Sequence, residues 1–426
     1  MQQRKRRGLL FAFVALLGAI AGTVTWQKGG PELSLTASPL RILSSQSARA
    51  EQVPSTAFLV TAGGGAPSYN EIALEKNVRY FQHTLEHMGW DPATATTFFA
   101  NGLDGRPTVR YIDLLGREQF KVPNIENLTG AATRSNVENW LQSYPQTEQG
   151  ASDCPTFFYF TGHGLLNRSD PDNNDLILWD EELLSVQALA EMLDQWPAEI
   201  PFVTMMAQCF SGSFANLIYE GGNPEQPVAL QTRCGFFATV KTRPSVGCTP
   251  LVNEADYRDY SSSFFAGISG RDRIGNPVDS ADYDADGRIS FAEAHAFAKV
   301  DGETSDWPIS TSESWLQEQA SEDQIQAILT TPMQELLVQA RPEQQYVVEA
   351  LVQKLEYDIQ VPFAAASPPQ RSRLRGPSEE ILTAYQMRLQ MELINMGTES
   401  RLRDLGDENT LKTLDKLLAC EAGSWE

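Results

Sequence analysis

Phe157-Phe158-Tyr159-Phe160-Thr161-Gly162-His163-Gly164 is an apolar run that stops at a histidine bracketed by glycines. A continuous apolar run of this length suits a strand buried on both faces of a sheet. Such a strand delivers His163 to a loop at its carboxyl end. Working outward, Ala57 to Thr61, Phe202 to Ala207 and Gly235 to Val240 are further runs of strand length, and helical patterns lie between them. The alternation predicts an α/β domain with a mostly parallel sheet. In open sheets of that class ligands bind outside the carboxyl ends of the strands. The glycines flanking His163 strip side chains from that edge, so a backbone amide can approach a ligand closely.

A second segment, Phe202 to Ser213, repeats the pattern. Its apolar run ends at Gln208-Cys209-Phe210-Ser211-Gly212, and a helix is expected to resume through Phe214, Leu217 and Ile218. A thiol between a strand end and a helix start would feel the positive end of the helix dipole, which favours thiolate. If the two strands are parallel neighbours, Cys209 and His163 converge. Nucleophilic thiol chemistry needs that pairing, with donors aimed at the developing oxyanion. The amides of Gly164 and Cys209 are the candidate donors. A lone His-Gly or a lone buried cysteine would carry little weight, since free cysteine is commonly a small core residue.

An apolar block ending in His-Gly, a spacer, and a second block ending in cysteine resembles the caspase, legumain and metacaspase superfamily of cysteine peptidases, and most of all its legumain-like bacterial members. The resemblance runs from about Thr56 to Leu316 and includes Cys234-Gly235-Phe236-Phe237-Ala238-Thr239, Gly247-Cys248-Thr249-Pro250 and Thr311-Ser312-Glu313. It implies a caspase-like three-layer α/β/α domain and an endopeptidase with Cys209 as nucleophile and His163 as base. Caspases carry Gln-Ala-Cys and legumains Ala-Cys at the nucleophile, whereas Ala207-Gln208 precedes it here. Assignment within the superfamily therefore stays open. A catalytically silent, calcium-binding scaffold of the same fold is the alternative.

Asp282-Tyr283-Asp284-Ala285-Asp286-Gly287-Arg288-Ile289-Ser290-Phe291-Ala292-Glu293 matches the side-chain pattern of an EF-hand loop. Asp282, Asp284, Asp286, Ser290 and Glu293 offer side-chain oxygens, Arg288 its backbone carbonyl, and Gly287 permits the sharp turn. The expected cofactor is Ca2+. No incoming helix is apparent, since Pro277 lies just before the loop, and no second loop pairs with it. A structural clamp is the reading, against an acidic turn that binds nothing. His295, on the outgoing helix, receives no catalytic role.

The chain has 426 residues and a formal net charge of −22, which argues against nucleic acid as a partner. Acidic character suits solubility, cation binding or basic partners; a peptide or protein substrate is what the resemblance implies, and oligomeric state is not legible. Arg4 to Arg7 precede an uncharged apolar stretch from Gly8 to Val24. This is an export signal, with Ala19-Ile20-Ala21 as a cleavage site, or a retained membrane anchor. Either way the rest of the chain is expected outside, periplasmic or extracellular, touching membrane only through this segment. The expected organisation is residues 1–26 as signal or anchor, 27–55 as linker, 56–316 as the caspase-like domain, and 317–426 as a helical region. That tail is read as a separate unit, and the resemblance to legumains allows it to be a cover over the active edge.

Five cysteines in an exported chain leave at least one thiol that is unpaired or pairs between molecules. Cys234 with Cys248 is the preferred bridge, with all thiols reduced as the alternative. Capping boxes are expected at Ser68 with Glu71 and at Ser135 with Glu138. His83 and His87, four apart on the first helix, lack a third ligand candidate and read as surface or boundary residues. Asp170, Asp172, Asp175 and Asp180 read as a solvated loop.

Overall fold

The expected strands form in a computed structural model that describes residues 56–147, 149–150, 154–367 and 378–425. The export segment and linker lie outside these residues. The strands are β1 (Ala57–Gly63), β2 (Thr96–Phe99), β3 (Val109–Ile112), β4 (Glu118–Lys121), β5 (Thr156–Leu165), β6 (Asp175–Ile177), β7 (Leu183–Ser185), β8 (Phe202–Met206), β9 (Arg233–Phe237) and β10 (Ile309–Ser310). The helices are α1 (Ile72–His87), α2 (Arg134–Ser143), α3 (Val186–Leu193), α4 (Tyr260–Ser269), α5 (Phe291–Asp301), α6 (Thr311–Gln319), α7 (Glu322–Leu329), α8 (Met333–Leu336), α9 (Pro342–Leu355), α10 (Glu379–Leu405) and α11 (Glu408–Glu421).

The main sheet runs β10-β9-β8-β5-β1-β2, and every pairing along it is parallel except β9 with β10. The chain thus steps outward from β1 to β2, then returns to β5 and winds the other way. This makes the junction of β1 and β5 the topological switch point, where parallel sheets open a crevice at their carboxyl ends. Alternate residues face opposite layers. Phe58, Phe157, Tyr159, Met205 and Phe236 pack towards α1, α4 and α5. Leu59, Phe158, Phe160, Phe202 and Phe237 join a second core with Val137 and Leu141 of α2 and Leu189 and Leu193 of α3. The molecule is mixed α/β with a helical carboxyl region.

Several expectations need correction. β5 does not end before His163: it continues to Leu165, and its extension pairs antiparallel with β6, His163 opposite Ile177. The glycines that looked like loop residues instead give a strand free of bulky side chains. Beyond Cys209 an eight-residue 3-10 helix, Ser211–Ile218, replaces the expected α-helix. Ser68 with Glu71 makes no capping box; α1 starts at Ile72, with Glu71 at the cap position and its carboxylate turned elsewhere. At α2 the cap is Thr133, whose hydroxyl accepts from the Asn136 amide, while Glu138 pairs with Arg134. The disulfide joins Cys234 of β9 to Cys420 of α11, not to Cys248, because the helix rather than the nearer loop passes beneath β9.

That disulfide bears on the tail. The described residues from Thr56 onward form one compact unit. Trp425, fully buried, sits edge-on to Phe58, Phe81 and Phe157 in the first core. Lys299 of α5 is buried between Glu313 of α6 and Glu392 of α10 and pairs with both. Residue 316 is therefore not a boundary between separable pieces. No helix among the described residues is long and apolar enough to cross a membrane.

Candidate active site

At the switch point the backbone is crowded. A Cβ on Gly64 would meet the Tyr69 carbonyl at 1.9 Å, and one on Gly164 would meet the Cys209 carbonyl at 2.1 Å. Glycine is required at both places by contact alone. The second contact also shows that the ends of β5 and β8 touch, which brings Gly164 against Cys209.

His163 is partly exposed, and its Nε2 lies 2.9 Å from the Tyr69 carbonyl and 3.0 Å from Glu71 Oε2. Both partners are acceptors, so Nε2 is the ring nitrogen that donates, which leaves Nδ1 as the one not engaged by them. The Tyr69 ring stands edge-on to the imidazole with centroids 5.3 Å apart. Glu71 is buried at 5% exposure and its other oxygen pairs with Arg110, which also donates to the Ser68 carbonyl. The residue expected to cap α1 thus orients the imidazole.

Cys209 is held from the other side. The Ser245 amide donates to its Sγ at 3.3 Å, and the thiol donates to the Ser245 carbonyl at 3.5 Å. Phe210, next in sequence, takes a left-handed conformation at φ 61°, and Asn174 donates to its carbonyl. Such strain in a non-glycine residue persists only where surrounding structure enforces it. Ser245 is fixed in turn by Asp306, whose Oδ2 accepts from the Ser245 hydroxyl at 3.1 Å and whose Oδ1 accepts from the Val246 amide at 2.9 Å. Arg388 of α10 donates to the carbonyls of Lys299, Gly302, Thr304 and Asp306, clamping the segment that presents Asp306.

The electrostatics depart from the sequence expectation. Burial pushes the Cys209 thiol above its ordinary value, and Asp306 adds to that against the Ser245 amide. The element that follows is a 3-10 helix rather than the expected α-helix, and the left-handed Phe210 stands between its first residue and Cys209. The thiol's hydrogen bonds go to Ser245 rather than to the imidazole. Burial also drives Asp306 up to about 7.

The other candidate residues divide cleanly. Asp282, Asp284 and Glu293 bring carboxylate oxygens within 4.8 Å of one another, Glu293 being buried. Asp286 and Ser290 lie outside that convergence: Asp286 accepts from the Arg288 amide and Ser290 caps α5 with Glu293. Arg288 turns its side chain to Asp286. Gly287 is left-handed at φ 85° as the turn requires. Three carboxylates meeting at a glycine turn fit a hard divalent cation. His87 accepts from Arg271 and does not join His83. His295 is buried between Tyr260 and Glu313, and burial lowers its pKa, a structural role. Asp172 pairs with Lys241 rather than standing in a solvated loop.

Glu71, Tyr69, Ser245 and Asp306 were missed in the sequence. Only Gly63-Gly64-Gly65, directly after the first strand run, hinted at a crevice there.

Neither a protein-family model nor a curated protein matches the chain. Among solved structures it is similar to a structural-genomics protein of Geobacter sulfurreducens, at 14% identity and a TM-score of 0.28, over 46% of this chain and 76% of that one. A likeness this slight carries no argument.

Proposed function

We propose that the chain is an exported cysteine endopeptidase of caspase-like, legumain-like type, acting on peptide or protein substrates through Cys209 and His163 and stabilised by Ca2+ at the loop 282–293. The observation that carries the reading is the abutment of the Cys209 turn and the His163 strand at the carboxyl ends of the neighbouring β8 and β5, with the imidazole oriented by Tyr69 and Glu71. In the reaction, His163 Nδ1 takes the thiol proton as Sγ attacks the peptide carbonyl, forming a C–S bond. The proton then passes to the departing amine as the C–N bond breaks. Water hydrolyses the thioester, giving its proton to His163 and restoring the thiol. The amides of Gly164 and Cys209 are proposed as oxyanion donors. Calcium would cross-link the three loop carboxylates and fix the start of α5.

A second reading is favoured by one observation. The thiol, raised by burial and bonded to Ser245, resembles a structural cysteine as much as an activated one. A silent calcium-binding scaffold would look the same. The two separate with an electrophilic peptide probe on the calcium-loaded full chain. The enzyme labels, and Cys209→Ala does not. No labelling of the wild type, or equal labelling of both, sinks the enzyme.

A further inference from the structure

Cys248 was expected in a disulfide and the structure releases it. Its Sγ lies 3.7 Å from the Gly162 carbonyl, beside the base. The ligand atoms of Cys248, His163 and Glu71 all fall within 4.8 Å of one another. These side chains come from the end of β5, the cap of α1 and the loop after β9, so no single helix or turn groups them by chance of sequence.

We propose that Glu71, His163 and Cys248 form a binding site for a zinc-type transition metal whose occupation switches the catalytic centre off. A thiolate, an imidazole and a carboxylate make a borderline-soft set that suits Zn2+ and disfavours Ca2+ or Mg2+, which take oxygen alone. Three protein ligands leave a fourth position for water, the pattern of open zinc sites. Bond lengths of 2.0 to 2.3 Å in a tetrahedron place ligand atoms roughly 3.5 Å apart, which side-chain torsions reach from the present spacing. Two of the three, Glu71 and His163, already stand 3.0 Å apart. Exposure of the His163 edge gives an ion a route in. A metal bound through Nε2, the nitrogen facing Glu71, displaces the imidazole proton to Nδ1 and takes up the orienting carboxylate, so Nδ1 can no longer accept the proton of Cys209. The calcium loop and this site then ask for different ions, one hard and one soft.

The regulatory half rests on the peptidase reading, whereas the metal site does not, and the test keeps them apart. The calcium-loaded full chain carrying Cys209→Ala is titrated with Co2+ as an optical probe. One Co2+ per chain is expected, with thiolate-to-cobalt charge-transfer absorption that Zn2+ abolishes by displacement. Adding Cys248→Ser removes the band, and adding Glu71→Gln weakens binding roughly tenfold or more. Calcium-induced stabilisation of each variant verifies its folding. A band that survives Cys248→Ser, or no band in the Cys209→Ala chain, overturns the site. In the wild type, Zn2+ is expected to stop peptide hydrolysis and a chelator used in excess Ca2+ to restore it, with Cys248→Ser losing that sensitivity. Undiminished hydrolysis at saturating Zn2+ overturns the switch. A cobalt band in the Cys209→Ala chain with no hydrolysis by the calcium-loaded, zinc-free wild type supports the site and removes the peptidase.

Discussion

At the scale of single residues, one carboxylate and one buried acid govern the site. Glu71 shares the His163 proton with the Tyr69 carbonyl. Glu71→Gln therefore weakens the orientation of the imidazole without abolishing it, and kcat/KM for a peptide substrate should fall roughly ten- to a hundredfold. Asp306 acts through Ser245. Its folded value of about 7 stands above its ordinary 3.8, so the native state holds this proton more tightly than the unfolded chain does. Its contribution to stability is whole below 3.8 and declines as pH rises towards about 7. Above that point its charge also holds the Cys209 thiol protonated. Asp306→Asn should flatten the stability profile across this range. It should also speed alkylation of Cys209 above pH of about 7 and leave it unchanged well below. The sequence singled out Cys209 and His163 as candidates because apolar runs point at them. It hid Glu71 and Asp306 because each is one acid among 55, and only tertiary contact selects them.

At the scale of elements, α5 links the two ends of the molecule. It begins at the loop 282–293, proposed to hold calcium, and ends where Arg388 clamps the segment bearing Asp306. Its middle is tied by the buried Lys299 to α6 and α10. Calcium is expected to raise the melting temperature, by about 2.7 kcal/mol of added stability at a hundred times Kd. Glu293→Gln removes a ligand charge and leaves one acceptor oxygen where the carboxylate has two, one taking the Ser290 amide and the other the Tyr283 amide, so the calcium-induced shift should collapse and the apo melting point should fall by a smaller amount. Differential scanning calorimetry with and without the ion reads both. The parallel sheet was legible here because doubly buried strands are continuous apolar runs. The extension of β5 past His163 was not, since Gly162 and Gly164 read as turn residues until β6 supplies hydrogen-bond partners.

At the scale of the whole molecule, the tail belongs to the core. Trp425→Ala is expected to cost about 3–5 kcal/mol in a denaturant titration, as for other large buried aromatics. A chain ended near residue 320 would lose Trp425, Cys420 and Arg388 together, so it should fail to fold rather than gain activity. Sequence pattern set the tail apart because amphipathic helices differ from buried strands in period. Nothing local announces that Cys420 returns across 186 positions to Cys234. That bridge has a consequence for anyone watching the protein on a gel. A single autolytic cut between residues 235 and 419 would leave both fragments covalently joined, so processed and intact protein should comigrate until reductant is added. The same reductant that keeps Cys209 in its thiol state for an assay works against the bridge. Its sulfurs, both in residues under a tenth exposed, are shielded from dissolved thiols, so mild reduction should free the Cys209 thiol before it unties the tail.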